Sequence, residues 1–262
     1  MGETATSSRR AAFRRRLLAG ERLIGTFIKT PTAHATEILG DLGFDFVVID
    51  QEHAPFDRPA IDTVLLATRA ADIGGIVRVP EANASAILSA LDCGATGVLV
   101  PHVASPDMAR DVGAWCRYRG GRRGFSNSPR AGGYGRLGIW DHVDAADAET
   151  TAIAMIEDPE ALDAIDAIVA VEALDGVFIG RADLAVALGA SGTNAAEVRA
   201  ATERIAAAAR KAGKAVCAMT SGGEDARWLQ ELGVAGMIVA SDQGFLRQAA
   251  AQALASLREL GS

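Results

Sequence analysis

Eight short apolar runs, separated by longer stretches of mostly helical pattern, set the strongest limit on how this 262-residue chain folds. The runs cover residues 23–28, 46–50, 75–79, 97–101, 151–157, 176–180, 215–220 and 236–240. They are β-branched and apolar on both faces, as parallel strands buried from both sides are. Helical patterns fill 33–42, 59–71, 84–91, about 106–118, 159–171, 195–212 and 244–260. Gly43 stops the first of these, as a glycine just past a helix end does. Eight strand–helix units in about 250 residues predict an α/β fold, a (β/α)8 TIM barrel. An open, doubly wound sheet is the alternative. No linker or composition break divides the chain, so one domain over 1–262 is expected. It includes an N-terminal helix and arm over 1–20 and a C-terminal helix over 244–260. In either architecture, chemistry belongs just beyond the C-terminal ends of the strands.

Composition narrows the partners. The net charge of −7 gives no basic field for nucleic acid. No run of about 18 apolar residues is present, so no membrane span is expected. Cys93, Cys116 and Cys217 are odd in number, widely spaced and without a CxxC. That argues against a disulfide framework or zinc ribbon and points to a reducing, cytoplasmic setting. The basic start (Arg9, Arg10, Arg14, Arg15, Arg16) has two readings. One is an Arg-rich transit peptide. The favoured one is the solvated face of a first helix that turns Phe13, Leu17 and Leu18 inward.

The strand ends carry a short list of polar residues. These are Lys29, the run Asp50-Gln51-Glu52-His53, Arg78, His102, Glu157-Asp158, Arg181-Ala182-Asp183 and Thr220-Ser221. Glu157 and Asp183 leave adjacent strands, so their carboxylates can converge. Two unscreened carboxylates repel, and a divalent cation such as Mg²⁺ or Mn²⁺ removes the conflict. The plainer readings make each acid a helix-start residue, Glu157 ahead of Pro159 and Asp183 as an N-cap for 184–188. Arg78, in an apolar strand, needs an anion, either a barrel acid or a substrate carboxylate held in a fork. His53 has the chemistry of a base at the right address. His34, His102 and His142 have weaker claims, though His102 could also line the mouth.

Two motifs are set aside. Gly133–Gly138 spells G-x-G-x-x-G, but a dinucleotide site needs a strand directly before it, and a polar, glycine-rich segment precedes this one. A Schiff-base lysine is restricted to Lys29, because only Lys29, Lys211 and Lys214 exist among 26 basic residues.

The element Val48-Ile49-Asp50-Gln51-Glu52-His53-Ala54 resembles the D-x-E-H-A element of the HpcH/HpaI aldolase family. Further matches follow in order: Val77-Arg78-Val79-Pro80, Leu91-Asp92-Cys93-Gly94, Leu99-Val100-Pro101, Arg123-Gly124-Phe125, Ile156-Glu157 and the run from Gly176 to Leu184 (GVFIGRADL). The resemblance spans roughly residues 20–255. It implies a metal-dependent class II pyruvate aldolase on a (β/α)8 barrel. In it Glu157 and Asp183 bind Mg²⁺, Mn²⁺ or Co²⁺, and His53 is the general base with Asp92 raising its basicity. Arg78 holds the pyruvyl carboxylate, and the backbone at Ala182 and Asp183 binds the same group. The family also implies a homo-oligomer, a trimer or a hexamer whose dimers exchange the C-terminal helix. The chain departs from the pattern at Met155, where Gln is usual, and at Arg181, where Pro is usual. The small-residue segment 124–135 is longer than expected. The implied reaction is reversible cleavage of a 4-hydroxy-2-oxo acid to pyruvate and an aldehyde. Oxaloacetate decarboxylation, citrate-synthase-like condensation and acyl-CoA cleavage are alternatives for the same residues. A non-catalytic barrel that binds a small molecule is an alternative of another class, whose mark would be a lost metal ligand.

Overall fold

A computed structural model describes residues 8–259. Its eight strands are β1 (Leu23–Ile28), β2 (Phe46–Asp50), β3 (Gly74–Arg78), β4 (Gly97–Val100), β5 (Thr151–Ile156), β6 (Gly176–Ile179), β7 (Ala215–Thr220) and β8 (Gly236–Ser241). Each pairs in parallel with its sequence neighbours, and β8 pairs with β1, closing a barrel. Closure rules out the doubly wound alternative. The sequence runs match the strands to within a residue or so at either end.

The connecting helices are α2 (Ala33–Asp41), α3 (Arg58–Ala70), α4 (Ala84–Asp92), α5 (Pro106–Cys116), α7 (Pro159–Val169), α8 (Arg181–Ala187), α9 (Ala196–Lys211) and α10 (Gly223–Glu231), with α1 (Phe13–Leu18) ahead of the barrel and α11 (Asp242–Arg258) after it. Their starts follow local chemistry. Thr32, Asp57, Asn83 and Ser105 each accept a first-turn backbone N–H. The segment between α5 and β5, where the sequence shows no helical pattern, contains a 3-10 turn (Arg130–Gly132) and a further helix, α6 (Ile139–Glu149). Its first turn has no side-chain cap and its apolar face is thin, which is why its periodicity is weak in the sequence. Gly133–Gly138 lies in turns between these two elements, with no strand before it.

Side-chain alternation along the strands divides the core in two. Val47, Ile49, Val77 and Val98 pack outward against the helices. Phe27, Phe46, Val48, Ile76, Leu99, Ile153, Met155 and Phe178 fill the barrel interior. Helix α1 stoppers the bottom, with Phe13 and Leu17 joining the interior cluster and the Phe13 ring 5.3 Å from that of Phe46. Gly74 lets it approach, since a Cβ there would meet the Phe13 ring at 2.8 Å.

Two sequence readings of this region change. Leu18 points outward and is 41% exposed, since it follows Leu17 by about 100° on the helix. The arginines are not simply a solvated face. Arg14 forks onto buried Asp175, Arg16 bridges Glu21 and Asp45, and Arg10 donates to the Gly94 carbonyl. They fasten the stopper to the strand beginnings. Of the arm and terminal-helix expectations, residues 1–7 and 260 lie outside the described residues. Helix α11 is present, but none of its residues is buried in the chain.

Candidate active site

The period-two alternation that fills the barrel with Phe27, Val48, Ile76 and Met155 carries two residues further to polar side chains. Lys29, Asp50, Arg78 and Glu157 continue those inward faces at the top of β1, β2, β3 and β5. Register sets Asp50 beside Arg78, and Ile28 beside Ile49, which leaves Lys29 next to Asp50.

Asp50 is fully buried and carries two cations. Arg78 donates from Nε and Nη2 to its two oxygens at 3.0 and 2.8 Å, and the Lys29 ammonium lies 3.0 Å away. Burial alone would raise the Asp50 carboxyl, but the Arg78 fork, the His53 N–H and Lys29 outweigh it and hold its pKa low. Arg78 Nη1 lies 3.2 Å from Glu52, and the guanidinium sits 4.9 Å from the centroid of the Phe27 ring. So Arg78 does pair with barrel acids. The fork leaves an N–H on each terminal nitrogen uncommitted to Asp50, and Arg78 lines the pocket above.

His53 sits in the turn after β2, its N–H on Asp50 Oδ1 at 3.1 Å. Its ring is half exposed, lines the pocket, and has Nε2 3.6 Å from Glu52. Glu157, past the end of β5, is buried and accepts from the His102 N–H at 2.8 Å. Burial pushes its carboxyl up to about 7, aided by the charges of Asp183 and Glu52 and opposed by His102. Gly180 makes room for it, since a Cβ there would stand 2.5 Å from the Glu157 Cβ and 2.9 Å from Oε2. Asp183 lines the pocket in the first turn of α8, and no ion pair or side-chain hydrogen bond to it exists among the described residues. Neither acid is an N-cap: those positions are Asp158 and Gly180. Ala182 and Asp183 belong to the leading N–H groups of α8, which lack intrahelical partners.

No set of three or more His, Cys, Asp or Glu side chains converges as a metal cage among the described residues. The chemistry present fits a hard divalent cation in another way. Two carboxylates, the buried Glu157 raised in part by the charge of Asp183 and the other open to a pocket, suit an ion that completes its shell with water and substrate oxygens.

His102 is a residue the sequence ranked low. Its left-handed backbone (φ 54°) aims its N–H at Glu157, while Nδ1 lies 3.2 Å from both Asp158 oxygens and Nε2 3.8 Å from Glu52. Burial opposes its protonation, but Asp158, Glu157 and Glu52 prevail and hold its pKa above that of an ordinary histidine. Asp50, Glu52 and His102 were legible only as residues near the mouth. Their mutual contacts depend on barrel register.

Other expected members lie elsewhere. Asp92 ends α4 in the helix layer, 3.8 Å from Arg123, with Arg58 and the His142 ring also near it. Arg123 in turn reaches Thr150, at the start of β5. Within one chain, therefore, Asp92 is not brought to His53. His142 is buried beside Tyr118 and Phe125, and His34 sits in α2 at the surface. Arg181 is neither a surface arginine nor a free cation; it is 5% exposed and paired with Asp225.

A pocket of about 570 Å³ gathers Lys29, His53, Arg78 and Asp183 at the barrel mouth, with Phe27, Met155 and Phe178 as its floor. The HpcH/HpaI aldolase/citrate lyase family profile matches residues 23–249 of the chain. A 5-keto-4-deoxy-D-glucarate aldolase of Klebsiella pneumoniae is 36% identical over 240 residues, covering 90% of this chain and 93% of that protein. A hydroxypyruvate/pyruvate aldolase of Paraburkholderia phytofirmans is 32% identical, covering 93% and 96%. The crystal structure of a family protein from Burkholderia cenocepacia superposes with a TM-score of 0.89 at 31% identity, covering 95% of this chain and 99% of that one. A closed barrel with paired acids and a buried arginine at its mouth, matched along nearly its whole length, makes this chain a carbon–carbon lyase of the HpcH/HpaI aldolase/citrate lyase family, a class II aldolase type acting on small oxo acids.

Proposed function

We propose that the chain catalyses reversible cleavage of 4-hydroxy-2-oxo acids to pyruvate and an aldehyde, dependent on a divalent metal ion. The observation that carries this reading is the placement of Arg78, His53 and Asp183 around one pocket, with Glu157 within electrostatic reach of Asp183, each at or just past the end of a different strand. Glu157 and Asp183 would hold Mg²⁺, Mn²⁺ or Co²⁺. When bound, the cation supplies Lewis-acid polarisation of the substrate's 2-oxo group.

The chain's own residues supply the rest. Arg78, held rigid by its fork on Asp50, presents its remaining N–H groups to the pyruvyl carboxylate and stabilises the enolate. The N–H groups of Ala182 and Asp183 bind the same carboxylate. His53 takes the proton of the 4-hydroxyl, directly or through a water. The C3–C4 bond breaks, its electron pair enters the pyruvate enolate, and the aldehyde leaves. Protonation at C3 completes the turnover; in the reverse direction the same base removes a C3 proton. Fixing base and carboxylate clamp on strand ends contributes orientation as well as charge.

The reading includes a homo-oligomer, a trimer or a hexamer. Helix α11 supports it, exposing Leu246, Leu254 and Leu257 with no side chain buried in its own chain. No described helix is long and apolar enough to cross a membrane; a cytoplasmic setting is part of the proposal.

The test is pyruvate release from a panel of 4-hydroxy-2-oxo acids, with oxaloacetate as comparison. EDTA should abolish release, and Mg²⁺, Mn²⁺ or Co²⁺ should restore it. Turnover of oxaloacetate alone, or a borohydride-trapped pyruvyl adduct on Lys29, would overturn the reading.

A further inference from the structure

If Arg78 takes the pyruvyl carboxylate from β3 and the acid pair sits at β5 and β6, the aldehyde half is left with the other side of the pocket. In a closed barrel of eight strands, β7 lies across from β3. That side is walled by Thr193, Met219, Thr220, Ser221 and Asp225, together with Arg181 at the start of α8.

The Arg181 guanidinium is fully engaged at both terminal nitrogens. Nη1 donates to Asp225 Oδ2 at 3.0 Å and to the Met219 carbonyl at 3.4 Å. Nη2 donates to Asn194 Oδ1 at 2.8 Å and to the Thr193 carbonyl at 3.1 Å, and it lies 2.8 Å from Asp225 Oδ1. Both side chains are under one-tenth exposed. Asp225 also accepts from the Thr220 hydroxyl and the Ser221 N–H. Burial alone would raise its carboxyl, but these donors and Arg181 hold it low, so it stays an anion. One arginine thus ties the start of α8 to the loop before α9, the end of β7 and the first turn of α10.

The other cations at the mouth are also answered. Lys29 faces Asp50, and Arg78 faces Asp50 and Glu52. Three cations meet three carboxylates, and the spare N–H groups of Arg78 go to pyruvate. A second carboxylate, on the aldehyde, would enter a pocket whose lysine and arginine side chains, among the described residues, are all already paired with acids. What the wall does offer is hydroxyl groups and carbonyls.

We propose that Arg181 and Asp225 form a charge-neutral strut that positions the acceptor end of the pocket, so that the enzyme takes an uncharged polar aldehyde in preference to an anionic one. The inference rests on the enolate reading above and names its acceptor class. Arg181 is a positioning residue here, acting through the wall it holds.

The experiment compares two acceptors of nearly equal size and carbonyl reactivity, 4-oxobutanoate and its methyl ester, in carboligation with pyruvate. The ester should show a kcat/KM higher by about tenfold or more, equal to ~1.4 kcal/mol. Asp225→Asn leaves the guanidinium uncompensated and should narrow that ratio about tenfold, through a lower KM for 4-oxobutanoate. Asp225→Glu should return the ratio toward that of the wild type. A structural role alone would move both acceptors equally. The wild-type ratio carries the test even if a variant fails to fold. Exchange of the pyruvate C3 protons for deuterium is followed in parallel. Exchange together with a preference for 4-oxobutanoate overturns this inference and leaves the enolate reading standing. Absence of both exchange and carboligation overturns the two together.

Discussion

Replacing Arg78 by Met separates what this arginine does for the fold from what it does for the reaction. Met keeps much of the side chain's length and removes the charge. Asp50, fully buried, then loses both donors of its fork and keeps Lys29 at 3.0 Å. Breaking a buried ion pair from one side costs about 3–5 kcal/mol, and Lys29 places the expectation at the lower end, about 3 kcal/mol. The pH dependence identifies the cause. In the wild type the Asp50 carboxyl is held below its ordinary value of 3.8. Its contribution is therefore present above that value and is lost only as pH falls through the depressed one. From neutral pH down to about 5, that contribution stays constant. In the variant, burial persists without the fork, and the carboxyl moves up. Its charged form then costs stability at neutral pH, and that cost is relieved as acid protonates it. The gap between wild type and variant should thus shrink on going from pH 7 to about 5. Urea denaturation of both proteins at each pH measures it. The same samples should show kcat/KM down by on the order of 10²-fold or more, with incomplete rescue by Arg78→Lys, because a point charge does not replace a fork. An equal stability gap at both pH values would refute the assignment of Asp50 as the group left uncompensated.

Four further outcomes follow from the same geometry. Glu157 must lose a proton to bind a cation, and its pKa lies at about 7, so Mn²⁺ affinity measured by calorimetry should fall roughly tenfold per pH unit below neutrality; affinity independent of pH between 5 and 7 would remove Glu157 from the ligand set. Gly180→Ala would press a methyl group against Glu157, 2.9 Å from Oε2, and should weaken Mn²⁺ binding more than it lowers the melting temperature; a loss of stability with unchanged binding would show that Glu157 does not act as a ligand. His53→Ala should lower turnover and flatten the pH profile near neutrality while metal still binds. Asp92 lies in the helix layer away from His53, so any tuning of that base requires a second copy of the chain, and mixing His53→Ala with Asp92→Asn subunits should restore activity in the assembly. No recovery, with an unaltered pH profile in Asp92→Asn, would remove Asp92 from the mechanism.

The sequence by itself determined eight parallel strands covered on both faces, while their closure into a barrel was decided by the pairing of β8 with β1. Runs such as FVVID and GVFIG are apolar on both faces, and only a strand covered on both sides satisfies them. It also determined where chemistry sits, because Arg78, Glu157 and Asp183 interrupt or end those runs, and each is a local departure visible without contacts. Helix α6 escaped because uncapped first turns and a thin apolar face leave little local signal. What only the tertiary structure decided is which charges meet. Asp50 and Arg78 are 28 residues apart, and their fork exists because β2 and β3 pair in one register. His102 reaches Glu157 across the top of β4 and β5 through a left-handed backbone. Asp92, adjacent to the mouth in motif order, belongs to the helix layer. Arg181 reads the same in sequence whether it is free or neutralised. Its meaning depends on Asp225, 44 residues away, because charge is local in the chain while its compensation is set by the fold.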